Sequence, residues 1–157
     1  MNIFYLAHNP QSAAQMQCDK HVVKMILETA QLLSTAHHEL GGTGPYKVTH
    51  RNHPSAVWAR SNKKHYIWLW AHFRALSQEY TKRYGKVHKT WERCSEALRE
   101  APEGIPDIER TDPPQCMPDN CKHKSTVIAY RRYYTQKAQE WSERGMNMKW
   151  FGQERVQ

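Results

Sequence analysis

The sequence predicts an all-α fold, a compact single-domain helical bundle over residues 1–157 with a short extended N-terminal segment and a long loop at 101–124. Three observations predict it. Apolar and aromatic residues recur at helical spacing from Ala13 to Leu33 and again from Tyr66 to Tyr84. Capping and stop residues bracket each candidate helix. Almost nothing shows the strand-like alternation that a substantial sheet requires. A chain of 157 residues is long enough to bury a core without disulfides or metals.

The elements follow in order. Residues 2–6 read as a short strand or an extended arm. Asn9-Pro10-Gln11-Ser12 starts a first helix, which the periodicity carries without a break to Gly41-Gly42-Thr43-Gly44-Pro45. Tyr46 to His53 is a polar connection, and Pro54 suits the first turn of a second helix. That helix breaks near Ser61-Asn62, restarts with one of them as cap, and stops at Gly85. Thr90 caps a short third helix. Residues 101–124 hold five of the eight prolines and no periodicity, so they form a long loop, of the sort that is often functional or mobile. Ser125 caps a fourth helix reaching Arg144, with Gly145 as its stop. Trp150-Phe151 dock the tail from Met146 to Gln157.

Composition narrows the function. Lys plus Arg number 23 against 15 Asp plus Glu, a net charge of +8, with ten His besides. Such an excess favours polyanions, because each neutralised phosphate releases counterions. No apolar run reaches membrane-spanning length, and Met1 to Leu6 lacks the basic start of an export signal, so an intracellular, cytoplasmic protein is expected. Its four cysteines are then expected as reduced thiols. There is no Walker loop, no Gly-x-Gly-x-x-Gly, no Gly-x-Ser-x-Gly and no zinc-deaminase signature. No cofactor is expected. A weak zinc candidate joins Cys18 and His21 to Cys116, Cys121 and His123, residue types that suit zinc in a spacing that is loose.

The sharpest constellation lies on the first helix. At 100° per residue, Gln17, His21, Lys24, Glu28, Gln31 and Thr35 share one face. Val22, Val23, Ile26, Leu27, Ala30 and Leu33 take the other, buried face. A carboxylate flanked by a lysine and a histidine can act as base, acid or cation stabiliser; a Lys24–Glu28 pair at i, i+4 is also ordinary helix-surface chemistry. Downstream, Lys47, His50, Arg51, Asn52 and His53 precede a helix N-terminus, where side chains and amides both suit phosphate. Arg60, Lys63, Lys64 and His65 follow, with Trp58 and Tyr66 interleaved as candidate stacking platforms for bases.

Three features in collinear order carry a family resemblance. Asp19-Lys20-His21 is followed by Glu28, seven residues after the histidine. Tyr46-Lys47 and Asn52-His53-Pro54 come next. A long stretch from Tyr66 to Tyr84 then carries Glu79 and ends in Lys82-Arg83-Tyr84-Gly85. In this the chain resembles the pyrimidine-dimer DNA glycosylases, small helical repair enzymes, over about two-thirds of its length. The resemblance implies cleavage of the glycosidic bond of a damaged pyrimidine by the chain's own α-amine, through a Schiff base, with β-elimination as a following lyase step. An α-amine suits this role because it ordinarily titrates near pH 8, well below a lysine.

By that resemblance Met1 supplies the amine, with Lys20 or Lys24 as substitutes, and Glu28 is the catalytic carboxylate, tuned by His21 and Lys24. Lys20, Lys47, His50, Arg51, Asn52, His53, Arg60, Lys63, Lys64, Tyr66 and Arg83 are the expected contacts to double-stranded DNA, bound by a monomer. Two departures stand out. A bulky Asn2 keeps Met1 on the chain, where the family exposes a small residue. Leu27 and Gln31 stand where the family has arginines beside its glutamate. Two further readings use the same residues: a non-catalytic DNA- or RNA-binding protein, and an enzyme acting on free nucleotides.

Overall fold

The computed structural model describes residues 1–151, and among these it holds six α-helices, one 3₁₀ turn and no strand. The helices are α1 (Pro10–Met16), α2 (Asp19–Glu39), α3 (Pro54–Ser61), α4 (Lys63–Tyr84), α5 (Lys89–Cys94) and α6 (Thr126–Glu143). The long helices α2 and α4 pack together, with α1 and α3 on α4 and with α3 and α5 on α2.

The caps explain most boundaries. Asn9 accepts amides from Gln11 and Ser12 to open α1. Pro54 sits in the first turn of α3. Asn62 is extended between α3 and α4 and accepts the Lys64 amide. Gly85 closes α4 at φ +72°, a left-handed conformation that glycine adopts without a Cβ clash. Ser125 caps α6 as expected, whereas α5 is capped by His88 and not by Thr90.

The first helix is not continuous. It breaks at Gln17 and Cys18, both extended. Periodicity across the break is preserved, so the sequence pattern does not register it. Tertiary bonds satisfy the freed backbone instead. Arg83 donates to the carbonyls of Gln15 (3.1 Å) and Gln17 (2.9 Å), and the Cys18 amide donates to the Tyr134 hydroxyl (3.4 Å). Backbone groups released from a helix and buried need such partners.

The N-terminal segment is an arm and not a strand. Ile3, Phe4, Tyr5 and Leu6 are all buried in the core, each contributing about 1.5–3 kcal/mol of apolar burial. The 101–124 segment is a loop as expected, but a tightly bound one that runs over the body as a strap. It accepts from the Lys63 amide at Pro106 (2.7 Å), from Asn62 at Glu109 (2.7 Å) and from the Trp58 indole at Thr111 (3.1 Å). Its Asp112 and Arg110 both bond the Tyr5 hydroxyl. At the far end Trp150 is buried and the Phe151 amide bonds Met16, so the start of the tail is docked; the expectation for 152–157 lies outside the described residues. Among the described residues, no helix is long and apolar enough to cross a membrane.

Candidate active site

The buried arm delivers the chain terminus to the middle of α2. The Met1 nitrogen lies 3.0 Å from Glu28 Oε1, and the Met1 side chain is only 2% exposed. Lys24 Nζ stands 3.9 Å from Glu28 Oε2. That second oxygen is buried without a hydrogen-bond partner. An ammonium–carboxylate contact of this length allows direct proton transfer.

The pair opens onto a cleft of about 530 Å³. Val23, Lys24, Leu27 and Gln31 of α2 form one wall, and His50, His88 and Thr90 complete it. His50 arrives through the docking of the 41–53 loop. Gly44 packs against Ser34 so closely that a Cβ would strike the serine hydroxyl. Ser34 Oγ bonds both the amide and the carbonyl of Tyr46, and Thr35 Oγ1 bonds both of those groups on Thr49. The next residue, His50, then turns over the cleft at φ +51°, an unusual conformation for a side chain with a Cβ. His53 accepts the Ser55 amide on Nδ1. Its pKa is lowered by burial, then by the Met1 ammonium and by His50, so it shares the electrostatic field of the site. Burial likewise lowers His88, whose Nδ1 accepts the Thr90 amide.

Several expected site residues stand elsewhere. His21 is buried, with its ring stacked on Phe4 at 4.2 Å and its Nδ1 2.6 Å from the Tyr134 hydroxyl. Burial, then the charges of Lys137, Lys24 and Lys20, pushes its pKa down to about 3. It lies two turns from Glu28, about 10 Å along the axis, and the geometry does not support tuning of that carboxylate. Gln17 and Thr35 are buried as well, while Val23 and Leu27 are exposed. The arm and α6 cover one edge of the expected polar face, so the open stripe of α2 is displaced toward Val23 and Leu27.

Tyr66 and Trp58 are not stacking platforms. Tyr66 is fully buried and donates to the Leu98 carbonyl (2.6 Å). Trp58 is buried and stacks on His65. Arg83 is bound within the protein, to Glu79 and Asp19 (3.0 Å each) and to the α1–α2 break. Arg51 holds Glu39 at 2.6 Å, Arg60 donates to the Arg51 carbonyl, and Lys64 holds Asp107. Lys20 lies over Trp141. Lys47, Asn52 and Lys63 are exposed.

The zinc candidates do not converge. Cys18 lies beside Tyr134, Cys116 near Ser55, and Cys121 donates to Gln136, while His123 caps the approach to α6. All four cysteines are free, and among the described residues no three His, Cys, Asp or Glu are grouped to hold a metal. The residues that sequence reading missed are His88 and Thr90. His88 sits in a basic cluster that a helix end fully explains, so nothing in the pattern marked it as a wall of the cleft.

The fold and the cleft define a class: a small basic helical protein whose own terminus faces a carboxylate in an open site. The family model for pyrimidine dimer DNA glycosylases matches residues 1–93, and the chain belongs to that family. The matched stretch carries Met1, Glu28 and every residue lining the cleft. The family is one of DNA-repair enzymes, so the substrate is DNA. No curated protein and no solved structure matches the chain.

Proposed function

We propose that the protein is a monomeric DNA glycosylase with AP-lyase activity, which excises a damaged or modified pyrimidine from double-stranded DNA. Met1 is the nucleophile and Glu28 the catalytic carboxylate. The observation that carries this reading is the 3.0 Å approach of the Met1 nitrogen to Glu28 Oε1 at the edge of an open cleft.

The steps follow from that contact. Glu28 Oε1 takes a proton from the Met1 ammonium, which frees the nitrogen lone pair. The amine attacks C1′ of the target nucleotide. The glycosidic bond breaks with its electron pair going to the pyrimidine, which leaves with the proton that Glu28 took and so returns Glu28 to a carboxylate. Glu28 Oε2, close to Lys24 and otherwise unpaired, balances the cationic charge that develops on the sugar. Transfer of a second amine proton to O4′ opens the sugar ring and leaves a protonated imine between Met1 and C1′. Removal of a C2′ proton then breaks the C3′–O bond and releases the 3′ phosphate. Water hydrolyses the imine and restores the amine.

Phosphate contacts in this reading come from the 47–53 loop (Lys47, His50, Arg51, Asn52 and His53), from Arg60, Lys63 and Lys64 at the α3–α4 junction, and from Lys20 and Lys24. With Leu27 and Gln31 in place of the family's arginines, the apolar side chains of Val23 and Leu27 in the cleft wall offer a face for a flat base. The test is Glu28→Gln on duplex DNA carrying a pyrimidine dimer or an abasic site. Base release and strand cleavage should fall by about 10²–10⁴-fold, the usual worth of a positioned acid–base group. Affinity for DNA should stay within a few-fold. A variant as active as the wild type contradicts the role of Glu28, and a wild type that binds duplex DNA without releasing base or cutting the strand favours a non-catalytic DNA-binding protein instead.

A further inference from the structure

The amine of a chain terminus is ordinarily among the least ordered groups in a protein. Here the neighbouring side chain prevents that. Asn2 Nδ2 donates to the Cys116 carbonyl at 2.8 Å. Asn2 Oδ1 accepts the Ile3 amide at 3.0 Å and lies 2.6 Å from the Tyr130 hydroxyl. That hydroxyl also reaches the Pro114 carbonyl at 2.7 Å and accepts the Cys116 amide at 3.3 Å. The carboxamide is thus gripped on both of its ends, by the 101–124 strap and by α6. Neither partner falls within the 1–93 stretch that matches the family.

We infer that Asn2 is a positioning residue, whose carboxamide, clamped between Cys116 and Tyr130, fixes the Met1 amine against Glu28. The inference rests on the reading of Met1 as nucleophile. The Asn2 Cα is one peptide, about 3.8 Å, from the Met1 Cα, so rotation of the Asn2 backbone swings the amine directly. Burial of the Met1 side chain supplies the second anchor, and residue 3 onward is locked in the core. In this arrangement the Asn2 side chain orients the residue that carries the amine. The strap is then part of the active site's frame, although it lines no part of the cleft.

Asn2→Leu keeps the size of the side chain, keeps Met1 on the chain and removes the three contacts. Tyr130→Phe removes one of them. Borohydride trapping on abasic duplex DNA, with intact-protein mass spectra to verify the terminus, reads both. The inference predicts that Asn2→Leu traps about 10–100-fold more slowly at saturating DNA, the loss expected from misplacing a reacting group by about 1 Å, with KM within about two-fold of wild type. Tyr130→Phe should show a smaller fall in the same kcat. If wild type traps at Met1 and both variants, folded by circular dichroism, trap at its rate, Asn2 does not position the amine and the nucleophile assignment stands. A rise in KM at unchanged kcat overturns the inference equally. If wild type forms its adduct elsewhere or not at all, the nucleophile assignment falls and takes this inference with it. If Asn2→Leu does not fold, the kcat of Tyr130→Phe decides, a fall supporting the inference and a wild-type value overturning it.

Discussion

At the scale of single residues, histidine is where sequence and structure part most clearly. A histidine one or two turns from a glutamate reads as a catalytic partner, yet His21 is a core residue between Phe4 and Tyr134. The helical wheel identifies which residues share a face, but it cannot show that an N-terminal arm covers half of it. His50 and His53 read correctly as belonging to one basic loop, though the left-handed turn that aims His50 carries no sequence signal. The buried rings have a consequence for stability. Burial holds His21 neutral down to about pH 3 and His72 down to about pH 4. His21 is pressed further by Lys137, Lys24 and Lys20, with the Tyr134 hydroxyl at its Nδ1. Below pH 6.5 the unfolded chain binds protons that the folded chain refuses, so stability rises with pH through this window. The contribution is complete above pH 6.5 and is lost as the pH falls toward the folded values. At pH 5 each ring costs on the order of 2 kcal/mol. Melting temperatures should therefore drop clearly between pH 7.5 and pH 5, and less so in His21→Gln. Equal melting at both pH values contradicts the assignment.

At the scale of elements, caps were legible and the break in the first helix was not. Asn9, Pro54, Asn62, Gly85 and Ser125 act locally, through hydrogen bonds or dihedrals that depend on a few neighbouring residues. The break between α1 and α2 depends on Arg83, more than sixty residues away, whose guanidinium holds the Gln15 and Gln17 carbonyls while neutralising Glu79. Both charged side chains are nearly buried, at 12% and 10% exposure. Arg83→Ala leaves Glu79 uncompensated and the break unsupported, and it should destabilise the protein by about 3 kcal/mol, the cost typical of breaking a buried pair. Because Arg83 is bound internally, DNA affinity of the folded variant should change less than two-fold. A loss of affinity at unchanged stability, read by denaturant melts beside a binding titration, returns Arg83 to the DNA interface.

At the scale of the whole molecule, four separated segments make one site. The terminus supplies an amine, α2 supplies Glu28 and Lys24, the loop before α3 supplies His50, and the start of α5 supplies His88 and Thr90. The all-α class and the order of these segments were readable from periodicity, punctuation and the resemblance of Asp19-Lys20-His21 and Glu28 to a repair family. Their convergence was not readable. It depends on burial of residues 3–6 and on a strap whose proline-rich sequence has no pattern beyond irregularity. In the proposed reaction the chain's own amine does the chemistry. Its most direct test is to trap the wild-type protein on abasic duplex DNA with borohydride, digest it, and locate the adduct by mass spectrometry. A single stable adduct on the α-nitrogen of Met1 is expected. An adduct on Lys20 or Lys24, or none under conditions where the DNA is bound, contradicts it.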